Sequence, residues 1–421
     1  MRGNALTLRF AVFAVTVTVA LPLRAESVEE LRRQAAAARA GGNAGTALQL
    51  LERASALAPN FAGLHDEIGF LLAALNRHPE AIERFTRAVQ LDPDYAPAHY
   101  HLGVARWLRG DLSAAIGALR SASSLRPREF DYRYRLGAAL YELSMYQEAE
   151  HELAAAAQLR SSHAETWNRL GLSRQHLGNR EGALAAFREA VRRDPRHKDA
   201  RNHLGFLLVE NGKPGEGTRE FEEVLRQDPA NRMALVNLGY AYLQKGETNR
   251  AVAQFRNAVR HHPTAAEAHY NLGLALKHLD DLDAAKKSLQ TALELDPKLV
   301  EAHYALGVAH WQAGEFETAA ERMLEATRLR PDYAEAHYML GTALRQQGKL
   351  AEALTPLRVA ASLDPHNPGP LNLIGQILRL QGDMAGGKAA FAEADRRKRE
   401  KELEQKAMFD RAVTSSDPRE R

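Results

Sequence analysis

Hydrophobic residues recur along the chain with the spacing of α-helices that each bury one face. In one representative segment, His269, Leu272 and Leu276 follow the i, i+3, i+7 pattern of a buried helical stripe. A second apolar stripe begins at Ala285, after a short polar break, and stops before Pro297, which cannot donate a backbone hydrogen bond. The pattern predicts two helices joined by a short turn.

This two-helix pattern repeats with a period of 34 residues. A glycine preceded by leucine or isoleucine marks the same place in ten successive segments, and a proline, or Ser161 in one segment, stands ten residues before each glycine. The glycines are Gly69, Gly103, Gly137, Gly171, Gly205, Gly239, Gly273, Gly307, Gly341 and Gly375. A fixed period of this length predicts a solenoid, in which each unit packs only on its neighbours.

The chain resembles the tetratricopeptide repeat family, whose 34-residue helix-turn-helix unit carries an early Leu-Gly pair, then small and large apolar residues, and a terminal proline. Here a small residue stands twelve positions after the glycine and a large apolar residue sixteen positions after it, as Ala285 and Leu289 do after Gly273. The resemblance implies an all-α fold, a right-handed superhelical solenoid of about eleven helix-turn-helix repeats.

The repeats predict a division of the chain into four segments. Residues 1–25 are typical of a signal peptide, because arginines precede an apolar run that is too short to span a bilayer. Residues 26–61 form a degenerate N-terminal repeat with Ala35 in place of glycine, and residues 62–401 hold ten repeats. Residues 402–421 form a polar C-terminal helix extension and tail. We expect export to the bacterial periplasm or secretion, and an uncleaved anchor is the alternative.

The charge balance argues against a nucleic-acid ligand. Without the three arginines of residues 1–25, basic and acidic side chains balance at 53 each. Such a chain has no excess positive charge with which to bind phosphates or an anionic membrane. The sequence also contains no cysteine, and export without disulfides favours a bacterial envelope over a small disulfide-stapled secreted scaffold.

One face of the first helix in each unit stays free of the core. Because successive residues turn by about 100°, this first-helix face holds positions 2, 5, 9 and 12 of the unit, with positions 6 and 13 at its edge. The resemblance implies that this face lines a concave groove in which peptides dock. The candidate partner-binding residues on it are Tyr100, Trp107, Tyr134, Tyr141, Asn168, Asn202, Asn237, Tyr240, Tyr270, Asn271, Tyr304, Trp311 and Tyr338.

These side chains suit a peptide ligand. Aromatic residues with a polar group are favoured interface anchors, and asparagine amides can bind a peptide backbone at both donor and acceptor. Glu267, Glu301 and Glu335 add an acidic rim, so we expect an extended ligand with some basic side chains. The alternative is that the tyrosines serve only to pack neighbouring repeats together.

No residues group into a catalytic or metal-binding set. Histidines recur once per unit at position 4, at the edge of the buried arc, where we expect each to pack and to hydrogen-bond a neighbour. They are His65, His99, His269, His303 and His337. We therefore expect no catalytic residues, no metal and no cofactor.

These observations predict a non-enzymatic scaffold that binds protein or peptide partners along the concave groove. Two alternatives stay open. The chain could be a periplasmic assembly factor for an envelope or polysaccharide-export machine. It could also be a component of a sugar-transfer enzyme, because the array resembles the repeat region of protein O-linked sugar transferases.

Overall fold

A computed structural model describes residues 27–414, and every regular element in this range is an α-helix. The predicted signal peptide, residues 1–25, lies outside the described residues. The helices are α1 Val28–Ala40, α2 Ala44–Leu57, α3 Ala62–Ala74, α4 His78–Leu91, α5 Ala96–Leu108, α6 Leu112–Leu125, α7 Phe130–Glu142, α8 Tyr146–Leu159, α9 Ala164–His176, α10 Arg180–Arg193, α11 Lys198–Glu210, α12 Pro214–Gln227, α13 Arg232–Gln244, α14 Thr248–His261, α15 Ala266–His278, α16 Leu282–Leu295, α17 Val300–Gln312, α18 Phe316–Leu329, α19 Ala334–Gln346, α20 Leu350–Leu363, α21 Gly369–Leu380 and α22 Met384–Thr414.

The helices belong to two compact units that divide between Ser161 and Ser162, with α1 to α8 in the first unit and α9 to α22 in the second. Within each unit, every odd-numbered helix packs against the even-numbered helix that follows it, which confirms the predicted hairpins. From α3 onward, the backbones of successive odd-numbered helices within each unit also approach one another closely, whereas those of the described even-numbered helices do not. The odd-numbered helices therefore line one face of each unit, and gaps separate the even-numbered helices.

The repeat glycine allows the two helices of a hairpin to approach closely. A Cβ added to Gly103 in α5 would lie only 2.6 Å from Cγ of Leu119 and 3.1 Å from the carbonyl oxygen of Ala115, both in α6. Gly273 of α15 meets Leu289 of α16 at the same 2.6 Å. The large apolar residue sixteen positions after the glycine thus fills the space that a side chain would need, as the sequence pattern predicts.

Three-residue turns join the two helices of each hairpin. The residue in the middle of the turn adopts positive φ, as Gly110 does at 81° between α5 and α6. Glycine is favoured there because it carries no Cβ that would meet the following carbonyl. In three of the turns a non-glycine residue takes the same conformation: Asn76, Ser144 and Asp280.

The last described helix is longer than the others. α22 covers 31 residues, from Met384 to Thr414, and exposes Leu403 and Met408 in the part beyond residue 401. Most side chains of the helix beyond residue 401 are polar or charged. Among the described residues, none of the helices combines the length and hydrophobicity that a bilayer-spanning segment needs.

Candidate functional site

The five histidines at position 4 hold the turns between repeats together. The Nε2 atom of each lies 2.8–3.0 Å from the carbonyl oxygen of the proline six residues earlier. Arginine replaces histidine in two other units, where Arg133 and Arg201 donate to the equivalent proline carbonyls at 2.7 and 2.8 Å. The expected packing role is therefore confirmed. Within residues 27–408, no group of three or more His, Asp or Glu residues is arranged to hold a metal ion.

Half-buried tyrosines lie along the odd-numbered helices of the second unit. Tyr270 packs against the cluster around Leu289, and the ring of Tyr304 lies 5.0 Å from that of Tyr333, which immediately precedes α19. Burial raises the pKa of Tyr270 and Tyr304, and burial together with the neighbouring Tyr304 raises the pKa of Tyr333 to about 12. These phenols are thus protonated at neutral pH. Tyr338 of α19 packs against the cluster that contains Leu357 of α20 and Ile374 of α21.

Two asparagine side chains on this face are available to a ligand. Asn237 on α13 and Asn271 on α15 occupy position 6 of successive repeats, and α13 contacts α15. Both residues are half-buried, and neither side-chain amide forms a hydrogen bond with the rest of the described chain. Each amide can donate and accept at once, as a peptide bond requires of a partner.

Two other asparagines, which the sequence predicts to lie on the free face, are buried. Asn168 and Asn202 have only 4% and 1% of their surface exposed. Asn168 donates to Glu165 at 3.2 Å and its Oδ1 lies 2.9 Å from Nδ1 of His203, whereas Asn202 donates to Asn231 at 3.3 Å. Neighbouring polar residues, among them His203 of the next repeat, cover position 5 in these repeats, so a partner cannot reach these amides directly.

In the first unit, Tyr100 and Trp107 on α5 contact residues of α7. The ring of Tyr100 stacks on that of Tyr132 at 4.7 Å, and the Trp107 indole N–H donates to Glu142 at 2.7 Å. The guanidinium of Arg135 lies 5.5 Å from the Trp107 ring. Both aromatic residues are half-buried, so one part of each ring joins repeats and another part faces solvent.

Tyr134 and Tyr141 on α7 also combine packing with partial exposure. Tyr134 stacks on Phe130 with ring centroids 5.6 Å apart, and Tyr141 meets Tyr146 edge-on at 5.6 Å. Both contacts lie within a single repeat, and both rings keep part of their surface exposed.

The remaining aromatic candidates lie on α13 and α17. The hydroxyl of Tyr240 donates to Glu210 on α11 at 3.0 Å, and its ring stacks on Phe206 at 6.3 Å. Trp311 on α17 packs beside Phe316, and its buried indole N–H has no hydrogen-bond acceptor among the described residues.

The predicted acidic rim is partly neutralised by two arginines, one in the preceding repeat and one later in the same repeat. Glu267 pairs with Arg232 at 3.3 Å, and Glu301 pairs with Arg330, whose hydrogen bond lowers the pKa of Glu301. Glu335 forms no ion pair within residues 27–408. Less free negative charge is therefore available for a basic ligand than the sequence suggests.

Lys277 is a candidate that the sequence reasoning overlooked. It occupies position 12 of α15, on the same helix as Asn271, and burial lowers its pKa. No carboxylate of the described chain pairs with it. A half-buried ammonium without a counter-charge is costly, so an anionic group of a ligand would be favoured there. Lys277 could have been predicted as a candidate from the sequence, because position 12 lies on the first-helix face.

Comparisons with known proteins identify the repeat. Family models described as tetratricopeptide repeat match residues 109–165, 206–248, 304–368 and 164–197, and one described as TPR repeat matches residues 69–110, 239–280 and 278–314. Among curated proteins, none is significantly similar in sequence.

Several solved structures are similar to this chain. A tetratricopeptide repeat protein from Parabacteroides merdae superposes with a TM-score of 0.50 at 15% identity, covering 59% of this chain and 98% of that chain. Yeast Tom70 gives 0.42 at 16% identity, covering 93% and 97%. YrrB, described as a TPR protein with an unusual peptide-binding site, gives 0.42 at 22% identity, covering 44% and 95%. The first of these shows a shared fold and nothing about ligands.

Proposed function

This chain belongs to the tetratricopeptide repeat family and is a repeat scaffold, and we propose that it binds an extended peptide of a partner protein along the first-helix face of its second unit, without catalysing a reaction. One observation carries this proposal. The side-chain amides of Asn237 on α13 and Asn271 on α15, two neighbouring helices, form no hydrogen bond with the described chain. Both amides keep part of their surface exposed, so a peptide backbone can reach them and take up their free donors and acceptors in place of water.

The surroundings of these amides define the ligand. Tyr270 and Tyr304 offer large, rigid contact surfaces that lose little conformational entropy on binding. Lys277 favours an acidic side chain or a terminal carboxylate, because such a group would neutralise its half-buried charge. The glutamates alone suggest a ligand with basic side chains, but Arg232 already pairs with one of them. We therefore expect an acidic peptide.

The test begins with a peptide array probed with a chain that starts at residue 26. Acidic, aromatic-rich extended peptides are expected among the binders, and their affinity is measured by isothermal titration. Each neutral hydrogen bond contributes about 0.5–1.5 kcal/mol, so removing both amides with Asn237→Ala and Asn271→Ala should weaken binding by roughly tenfold.

Asn257→Ala is the matched control, because Asn257 lies on the even-numbered helix α14 and forms no hydrogen bond with the described chain. It should leave the affinity unchanged. Unaltered binding by the double variant, with unchanged circular dichroism, would refute the proposal.

The tyrosines distinguish ligand binding from packing. If Tyr304→Ala weakens peptide binding while helicity and melting temperature are maintained, the ring serves the ligand. Loss of the folded state would instead assign Tyr304 to packing between repeats, and Tyr304→Phe, which keeps the ring, would then restore the fold.

We also propose that the scaffold acts after export, in the bacterial periplasm or outside the cell. The support is the sequence of residues 1–25. Fusing the full chain to a phosphatase that is active only after export, and sequencing the N-terminus of the mature product, tests both export and cleavage. An inactive fusion would refute export, and an intact N-terminus would show an anchor.

A further inference from the structure

An open groove lies between the even-numbered helices α18 and α20 of the second unit. Its volume is about 480 Å³, and its floor is formed by Leu340 and Leu344 of α19. Leu324 of α18 and Pro356 and Val359 of α20 contribute apolar walls. Leu324 has 59% of its surface exposed. The residues that line the groove include none of those proposed above to bind a peptide.

The first unit contains an equivalent groove, between α6 and α8, that ion pairs cross. The same two leucine positions, on α7, form its floor. Arg120 of α6 pairs with Glu148 of α8 across the opening, and Arg133 of α7 pairs with Glu152 of α8 at 2.8 Å. These pairs place charged side chains over the apolar floor.

A third groove, between α10 and α12, repeats this arrangement. Arg188 of α10 lies 4.0 Å from Glu216 of α12, and Arg201 of α11 pairs with Glu220 of α12. Counted within the repeat, an arginine at position 25 faces a glutamate at position 19 of the next repeat. An arginine at position 4 pairs with a glutamate at position 23.

The groove between α18 and α20 lacks three of these four charged residues. Leu324 replaces the arginine at position 25, His337 replaces the arginine at position 4, and Pro356 replaces the glutamate at position 23. Glu352, at position 19, is kept, and within residues 27–408 it has no ion-pair partner. The result is an apolar groove beside a carboxylate without the arginine that faces it in the two grooves described above.

The charge around the groove is negative. Glu317 and Glu321 of α18 join Glu352 at the rim, and no described residue pairs with either of them. Among the residues that line the groove, Lys349 carries a positive charge. The ring of His337 forms a hydrogen bond with the carbonyl oxygen of Pro331. A basic occupant therefore complements the rim.

We propose that this groove docks an amphipathic α-helix of a partner protein, one that carries an arginine beside its apolar stripe. The arginine takes the place of the missing position-25 arginine and pairs with Glu352, while apolar side chains cover Leu324 and Leu344. The length of the groove suits a helix. Its wall on α18 extends from residue 317 to residue 327, which is three helical turns, or about 15 Å at 1.5 Å per residue. That length receives side chains at i, i+4 and i+7 of a bound helix.

The test uses a fluorescein-labelled synthetic helix as the probe. It is an 18-residue peptide with leucines at i, i+4, i+7 and i+11 flanked by arginines, compared with the same peptide carrying glutamates instead. Fluorescence anisotropy measures binding to a chain that starts at residue 26. The arginine peptide should bind at least about tenfold more tightly than the glutamate peptide, since unlike charges meet in one case and like charges in the other.

Two variants locate the site. Leu324→Arg recreates the ion pair of the other two grooves and should weaken binding of the arginine peptide by about tenfold or more. Glu352→Gln should weaken it by roughly threefold and narrow the difference between the two peptides. Leu57→Arg changes an equally exposed leucine of α2 in the first unit and should have no effect. Asn237→Ala should also have none, so this test is independent of the proposed function.

Three results would overturn the proposal. Equal binding of the two peptides would show that Glu352 does not select an arginine. Full binding by Leu324→Arg, with unchanged melting, would place the peptide elsewhere. Sedimentation that shows a dimer of the unmodified chain and a monomer of Leu324→Arg would show that a second copy of this chain covers the groove.

Discussion

Replacing Gly103 by alanine tests whether the repeat glycine is required for the close approach of α5 and α6. The added Cβ would lie 2.6 Å from Cγ of Leu119 and 3.1 Å from the carbonyl oxygen of Ala115. Neither atom can move aside easily, because Cγ is the branch point of a fully buried side chain and the carbonyl belongs to the backbone of α6. We expect this overpacking to cost about 1–3 kcal/mol.

Gly117 provides a matched control within α6. A Cβ added there meets nothing within 4 Å, and the residue is exposed. Alanine is favoured over glycine in a helix interior by about 0.8–1.0 kcal/mol, and this gain applies to both substitutions. Gly117→Ala should therefore stabilise the protein by nearly this amount. The difference in unfolding free energy between the two variants, about 1–3 kcal/mol, then measures the steric cost alone.

Hydrogen exchange of peptides from α5 and α6 is the direct assay, because a repeat array opens locally and need not unfold in one step. Urea unfolding followed by circular dichroism gives the accompanying shift in midpoint. Gly103→Ala should lower the protection of these amides and Gly117→Ala should raise it. Equal protection in the two variants would show that the added methyl group meets no obstacle, and the steric reasoning would be refuted.

Two further predictions concern a turn and an ion pair. Ser144 holds a φ of 59°, so Ser144→Gly should raise the unfolding free energy by about 0.5–1 kcal/mol in urea titrations, whereas Asn76→Gly should gain less because asparagine tolerates this conformation. Glu165 accepts a hydrogen bond from His197 at 3.1 Å and raises the His197 pKa above its ordinary 6.5. The stabilisation is therefore complete below pH 6.5 and is lost as the pH rises through the folded-state pKa. Glu165→Gln should return the NMR-titrated pKa toward 6.5, and no change would contradict the assignment.

The sequence alone determined the hairpins, their period and their closest contacts. These features depend on residues near one another in the chain: a glycine such as Gly103, the leucine sixteen positions later, and a proline that stops the helix. Short-range sterics and backbone hydrogen bonding act within one unit, so a pattern repeated many times reports them reliably. The role of the position-4 histidines was predictable for the same reason, since their partner lies six residues away.

Tertiary structure decided which side chains are free. Helical geometry places Asn168 and Asn271 on the same face, yet the first is buried under the next repeat and the second has no partner. Whether Glu301 stays charged and available depended on Arg330, 29 residues away, and whether Lys277 was paired depended on which carboxylates surround it.

The groove between α18 and α20 shows the same division. The 34-residue register aligns Leu324 with Arg120 and Arg188, but only the stacking of two hairpins brings Leu324 and Glu352 to the same groove. The periodic pattern specifies which face of a helix is buried within its own hairpin. Charge pairing and solvent access between hairpins depend on side chains that come together only when one repeat packs on the next, because their partners lie a full repeat away in the chain.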